Sequence, residues 1–163
     1  MDEDINVKKE TNYQAVLGNN QSLESSLSNL QDKWTEIIRE LNEKMKTMPG
    51  LDSMMNEVYI KRQEALDLYY GTMKIQAART RDYKFKASSI YNALKSGQNG
   101  LRYTNEAAIT MQIEAKLSAE KECLDLLTNF TNFMKETVQT IDNIIYGINP
   151  KIKIYEMING LKF

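Results

Sequence analysis

The side chains in this sequence with the clearest chemical potential are basic and concentrated between positions 61 and 102. This stretch has nine basic and three acidic residues, giving +6, whereas the remainder has 12 basic and 19 acidic residues, giving −7. Aromatic residues lie among the basic ones. Because basic groups attract phosphates and aromatic rings stack on unpaired bases, the combination is typical of single-stranded nucleic-acid binding. The alternative is a solvated basic surface whose tyrosines pack in a core.

Nine residues of this stretch are candidate DNA contacts, seven of them basic and two of them tyrosines. They are Lys61, Arg62, Lys74, Arg79, Arg81, Lys84, Lys86, Tyr69 and Tyr70. Tyr83 is a further candidate for stacking. For Tyr69, packing between helices is the alternative role, which its helical spacing favours.

The composition excludes several classes of catalytic site. With no histidine, the chain cannot form a Ser-His or Cys-His pair or an imidazole metal site. The single cysteine, Cys123, excludes an intramolecular disulfide and a cysteine cluster. The glycines at 97 and 100 are not followed by the Lys and Ser/Thr of a phosphate-binding loop. We therefore expect no enzyme activity, no cofactor and no metal site.

Length and composition predict an all-α protein. A chain of 163 residues suits one domain, and only 7 glycines and 2 prolines supply few of the turns that a β-rich fold needs. No apolar run reaches the length of a membrane span, and the acidic start is unlike a secretory signal. We expect a cytoplasmic protein without a membrane partner.

The first half of the chain predicts a tail and two helices. Residues 1–20 lack an apolar period and predict a disordered tail, which leaves 21–163 as the helical domain. A first helix should begin near Ser22 or Ser25 and end at Met48–Gly50. A second should run from about 52 to 70, with Gly71 as its end or a kink. Its predicted inward residues are Met55, Val58, Leu66 and Tyr69.

The second half of the chain predicts three features. In residues 72–94, helix competes with a short strand because apolar and charged residues partly alternate. Gly97–Gly100 predicts a loop. A long helix should then cover 105–148, capped by Thr104 or Asn105, and a short terminal helix 150–160.

The predicted long helix has an apolar seam with alternating spacings of four and three residues, which is the pattern of a coiled coil. We expect it to mediate self-association, since a chain of this size offers few partners for so long a helix; the alternative is packing inside its own helical bundle. The candidate oligomerisation residues are Leu117, Leu124, Leu127, Met134, Val138, Ile141 and Ile145.

Two sequence segments resemble the UvsY family of phage recombination mediator proteins. One is Leu66–Gly71, which is similar to the family's Leu-Asp-Tyr-Tyr-x-Gly, and the other runs from Ile141 to Asn149 and on to Asn159-Gly160. The resemblance covers approximately residues 56–160. The family's DNA-linked Lys-x-Arg falls here on Gln63-Glu64-Ala65, and Lys61-Arg62, one turn upstream, is a candidate replacement.

The resemblance implies a ring-like homo-oligomer that binds single-stranded DNA. Such proteins help a RecA-like recombinase displace a single-strand-binding protein during DNA recombination, repair and replication. No nucleotide hydrolysis is expected of the mediator itself. A ring would multiply a weak basic surface, because linked sites raise the effective concentration. The competing hypothesis is a structural or adaptor helical oligomer that binds no nucleic acid.

Overall fold

The computed structural model describes residues 3–97, 100 and 102–160, with side chains described from residue 20 onward. These residues form four helices and no strand, so the all-α prediction is confirmed. The helices are α1 (Glu3–Lys44), α2 (Met48–Ser96), α3 (Glu106–Lys116) and α4 (Ser118–Ile158). The predicted loop at 97–100 falls partly on residues 98 and 99, which lie outside the described residues.

The chain divides into two compact units, to which α1, α2 and α4 each contribute residues. Unit 1 comprises Met1–Ser26 and Met73–Asn129. Unit 2 comprises Leu27–Thr72 and Phe130–Phe163. The candidate DNA contacts are therefore distributed between them, with residues up to Tyr70 in unit 2 and those from Lys74 in unit 1.

Unit 2 contains a continuous apolar core built from three helices. α1 contributes Trp34 and Leu41 to it, both buried and seven residues apart on one helix face. The predicted apolar face of α1 therefore points inward. Met45, between α1 and α2, is also buried there, and α2 and α4 supply the remaining core residues: Leu51, Met54, Val58, Ala65, Phe130, Met134, Val138, Ile141, Ile144 and Ile148.

The core face of α2 differs in part from its prediction. Val58 is buried and Leu66 and Tyr69 pack against the core, as expected, but Met55 is 41% exposed. Its neighbour Met54 is fully buried. In adjacent helical positions the side chains point about 100° apart, so choosing the wrong methionine rotates the predicted face by one residue.

The boundary between α1 and α2 lies close to its predicted place, but Met48–Gly50 begins α2 instead of ending α1. α1 ends at Lys44, and α2 begins at Met48 with Pro49 and Gly50 in its first turn. A Cβ atom at Gly50 would lie 2.2 Å from the Lys44 carbonyl oxygen. The tight connection therefore requires glycine at this position.

Two stretches are helical where the sequence predicts otherwise. Residues 3–20 belong to α1, whereas a disordered tail is predicted over 1–20; residues 1 and 2 lie outside the described residues. Extending an existing helix is much easier than nucleating one, which favours this continuation. α2 also runs unbroken through Gly71 and through residues 72–94, which resolves the competition between strand and helix.

The predicted long helix is interrupted earlier than expected. Asn105 caps α3 by accepting a hydrogen bond from the Ala107 N–H, as predicted, but α3 ends at Lys116. Leu117 leaves the helical conformation, with φ −112° and ψ 20°, and α4 begins at Ser118. The helix predicted over 105–148 is therefore two helices.

The predicted terminal helix 150–160 is the end of α4, which passes through Gly147 and Pro150 without a break. Proline removes one backbone hydrogen bond within a helix. Packing of Ile152 and Tyr155 against the core of unit 2 compensates for this loss. The Tyr155 hydroxyl also donates a hydrogen bond to the Lys46 carbonyl.

Most of the predicted oligomerisation seam is buried inside the chain. Leu117, Leu127, Met134, Val138 and Ile141 are buried, and Leu124 and Ile145 are half-buried. Four of the seven lie in unit 2, where they pack in or against the core that α1 and α2 also form. These four are Met134, Val138, Ile141 and Ile145. The chain's own helices thus supply the partners that we expected from a second copy. Self-association stays a prediction, but this seam no longer supports it.

Candidate nucleic-acid interface

The part of α2 within unit 1 has most of the available positive charge. Between residues 73 and 96 there are six basic residues and one acidic residue, a formal charge of +5. α2 is continuous through this segment, so one helix carries all six basic residues at fixed spacings. Their partners therefore decide which of them could contact a ligand.

Three of these cations form an outer row on the exposed side of α2. Lys74 and Arg81 are seven residues apart, and Lys84 follows Arg81 by three, so that the three side chains lie close to one helix face. All three are exposed. Among the side chains that the structure describes, none of the three has an ion-pair partner. The outer row therefore presents charge that is not neutralised locally.

Arg79 and Lys86 form a second row, which lines a groove of about 700 Å³ in unit 1. Lys86 donates a hydrogen bond to Glu120 at 2.8 Å, so part of its charge is neutralised. Arg79 is exposed and has no acidic partner within the described part of the chain. Four of the predicted cations, Lys74, Arg79, Arg81 and Lys84, are thus unpaired there; we call them the free cations.

Polar contacts between α1 and α4 form the wall of this groove opposite α2. The Asn20 side-chain amide is buried and donates to the Ala119 carbonyl at 2.8 Å and to Glu122 Oε2 at 3.0 Å. Asn20 also lines the groove, as does the half-buried Cys123. An amide with two specific acceptors fixes the local register of α1 against α4.

Lys95, near the end of the basic stretch, is not available for a ligand. Its Nζ lies 2.8 Å from Glu106 Oε1 and 2.7 Å from the Tyr91 hydroxyl. These hydrogen bonds raise the pKa of Lys95, and the same ion pair holds the pKa of Glu106 below its usual value. The cluster joins the end of α2 to the start of α3, so its role is structural.

The two predicted cations of unit 2 are both engaged with acids. Lys61 Nζ lies 2.8 Å from Glu64 Oε2 on the same helix. Arg62 contacts Asp142 of α4 through Nε at 2.5 Å and through Nη2 at 3.4 Å. Hydrogen bonding to Asp142 raises the pKa of Arg62. Planar two-point contacts of this kind fix a guanidinium group, so Arg62 links two helices of the unit.

The predicted tyrosines have different surroundings. Tyr69 is half-buried and packs against the core of unit 2, which agrees with the packing alternative. Tyr70 is 61% exposed. The two ring centroids lie 5.2 Å apart with the planes tilted by 55°. Tyr83, in unit 1, is half-buried and lines the groove.

Phe85, an exposed aromatic residue among the free cations, was not selected from the sequence. Phe85 is 77% exposed, immediately follows Lys84 and lies one turn after Arg81. Its ring also lines the groove. The signal in the sequence was Lys84-Phe85-Lys86, but only exposure distinguishes a surface phenylalanine from a core one.

Comparison with known proteins finds no matching family model, no matching curated protein and no matching solved structure. No helix among the described residues is both long enough and apolar enough to cross a membrane. Within the same residues, no three carboxylate or thiol side chains are grouped so that they could hold a metal ion.

Proposed function

We propose that this chain binds single-stranded DNA through the free cations of unit 1. The observation that carries the proposal is that four exposed cations, without acidic partners among the described side chains, accompany an exposed aromatic ring on one helix segment. Phosphate neutralisation releases counterions and gives binding that weakens steeply with salt. Stacking adds affinity for unpaired bases of any sequence.

We further propose that DNA binding serves a recombination mediator. This part of the proposal depends on the resemblance to the UvsY family and assigns three cytoplasmic partners: single-stranded DNA, a RecA-like recombinase and the single-strand-binding protein that it replaces. The ion pairs of Lys61 and Arg62 argue against these two residues as replacements for the family's Lys-x-Arg. We therefore assign the DNA contact to unit 1.

Self-association is also part of the proposal, through a surface other than the buried seam. Ile154, Met157 and Ile158 near the end of α4 are all exposed. Large apolar side chains grouped on a surface often mark a protein interface. Sedimentation of the purified chain with and without oligo-dT tests this step, and a monomer under both conditions would contradict it.

The test of DNA binding is retention of labelled oligo-dT by the purified chain. We expect retention at about 50 mM salt and its loss well above about 200 mM. A second assay measures the lag in filament assembly by a RecA-like recombinase on DNA coated with single-strand-binding protein. The chain should shorten this lag. No retention at low salt would contradict the whole proposal, whereas retention without a shorter lag would contradict only the mediator role.

A structural adaptor that binds no nucleic acid is the second candidate function. In unit 2, Tyr59, Tyr70 and Tyr146 are exposed. Arg62 lies in the same unit and is held in place by Asp142. Tyrosine and arginine are enriched in the energetically important centres of protein interfaces. This candidate predicts no oligo-dT retention at any salt concentration.

A further inference from the structure

Phe85 combines exposure, position and neighbours in a way that points to a specific role. We propose that Phe85 is the stacking platform for an unpaired base, and that it makes the site select single-stranded over duplex nucleic acid. This inference rests on the proposed function of unit 1 and assigns its selectivity to one side chain.

The first argument is the exposure of the ring. At 77%, Phe85 is among the most exposed large apolar residues of the described chain, although it is in the middle of a long helix. An exposed phenyl ring gains nothing from the fold, because apolar area stabilises a protein only when it leaves water. A planar base placed on the ring would remove this area from water.

The second argument is the position of the ring between the two rows of cations. Arg81 of the outer row is four residues before Phe85, and Arg79 of the groove row is six residues before it. At about 100° per residue, Phe85 points between these two directions. A base on the ring would therefore have cations on both sides, where the flanking phosphates of a strand would lie.

The third argument is the groove itself. Phe85 and Tyr83 both line it, and so does Asp82. A groove of about 700 Å³ has room for a base beside the ring. In a duplex the bases are stacked inside the helix and unavailable to a surface ring, so stacking here requires an unpaired strand.

The other aromatic candidates meet fewer of these conditions. Tyr69 is packed against the core of unit 2, and Tyr83 is half-buried. Tyr70 is exposed, but its basic neighbour in unit 2, Arg62, is paired with Asp142. Among the side chains that the structure describes, Phe85 is the exposed ring that lies with the free cations.

Tryptophan fluorescence provides a direct test. Trp34 is the only tryptophan of the chain and is buried in unit 2, so it should supply a background that DNA binding at unit 1 leaves constant. In the variant Phe85→Trp, binding of oligo-dT should quench the new fluorescence, whereas the parent signal should change little. Tyr146→Trp, at a similarly exposed ring in unit 2, is the matched control and should show no quenching.

Affinity measurements separate stacking from charge. Phe85→Leu should weaken oligo-dT binding by about fivefold or more, leave the salt dependence unchanged and leave duplex binding unchanged. Phe85→Tyr should restore the affinity, and Tyr146→Leu should have no effect.

Oligo-dT affinity of Phe85→Leu within twofold of the parent would overturn the role of Phe85 while leaving DNA binding intact. Equal losses for single strand and duplex would also overturn it. A parent that binds no oligo-dT would overturn both proposals.

Discussion

The two stretches of α2 both contain candidate cations, but these cations have different partners. In unit 2, Lys61 and Arg62 are paired with Glu64 and Asp142. In unit 1, the four free cations have no acidic partners among the described side chains, and Lys86 alone of the predicted set is paired. The comparison teaches that local basic density does not identify a binding surface, because acids from other helices decide which charges remain available.

The same two regions differ in their apolar contacts. The large buried cluster lies in unit 2, whereas the groove of about 700 Å³ lies in unit 1 and is lined by both polar and apolar residues. We therefore assign stability mainly to unit 2 and ligand binding mainly to unit 1. The following predictions test this assignment in order of decreasing effect.

Truncating the unit 2 core should produce the largest change. Phe130 is 1% exposed and stacks on Phe133 with centroids 6.2 Å apart. Phe130→Ala should lower the free energy of unfolding by about 3–5 kcal/mol, because it leaves a cavity. Denaturant unfolding followed by Trp34 fluorescence measures this in the same unit. A matched aromatic truncation at the surface, Phe85→Ala, should cost little. Similar losses for both would remove the contrast between the units.

Removing the free cations should produce the next largest change. Replacing Lys74, Arg79, Arg81 and Lys84 by Gln should weaken oligo-dT binding on the order of 100-fold at low salt and reduce the salt slope by about 3. The matched control replaces four other exposed lysines, Lys33, Lys116, Lys135 and Lys153, and so changes the net charge equally. Equal loss of affinity in both variants would show attraction by net charge rather than by a site.

Neutralising the paired cations should affect binding much less. Lys61→Gln with Arg62→Gln should change oligo-dT affinity by less than about twofold at low salt. The variant should instead lower the midpoint of thermal unfolding slightly, because Asp142 loses its partner. Its matched comparison is Arg81→Gln with Lys84→Gln in unit 1. A larger loss of affinity from the unit 2 pair would reverse the comparison.

The ion pair between α2 and α3 should give the smallest effect. The folded pKa of Glu106 is lowered by Lys95, so its contribution is present above the unfolded pKa and is lost as pH falls through the folded pKa. Glu106→Gln should therefore lower the thermal midpoint slightly at neutral pH and not at acidic pH. Glu24→Gln, at an exposed position elsewhere in unit 1, is the control. A difference from the parent that persists in acid would contradict this assignment.

The sequence predicts well those features that depend on neighbouring residues. The scarcity of glycine and proline predicts a helical fold, Met48–Gly50 predicts the boundary of two helices, and Asn105 is recognised as a cap from its residue type. The seam of α4 is also recognised as an inward face. These signals act within one or two helical turns, which is the range over which sequence spacing determines geometry.

The features that the sequence does not predict depend on distant residues. The same apolar seam could pack against another helix of the chain or against a second copy. Only the structure shows that α1 and α2 are long enough to cover it. Asp142 is 80 positions from Arg62, and Glu120 is 34 from Lys86, so spacing cannot reveal these pairs. The exposure of Phe85 likewise depends on which helices pack beside it.

The most direct test of the central claim is to map where DNA touches the chain. Oligo-dT containing a photoreactive thymine is crosslinked at low salt, and the modified peptides are identified by mass spectrometry. The account predicts crosslinks within residues 73–96, concentrated around Phe85, and their loss when the four free cations are replaced by Gln. Crosslinks concentrated at residues 59–70 of unit 2, or unchanged by that replacement, would contradict it.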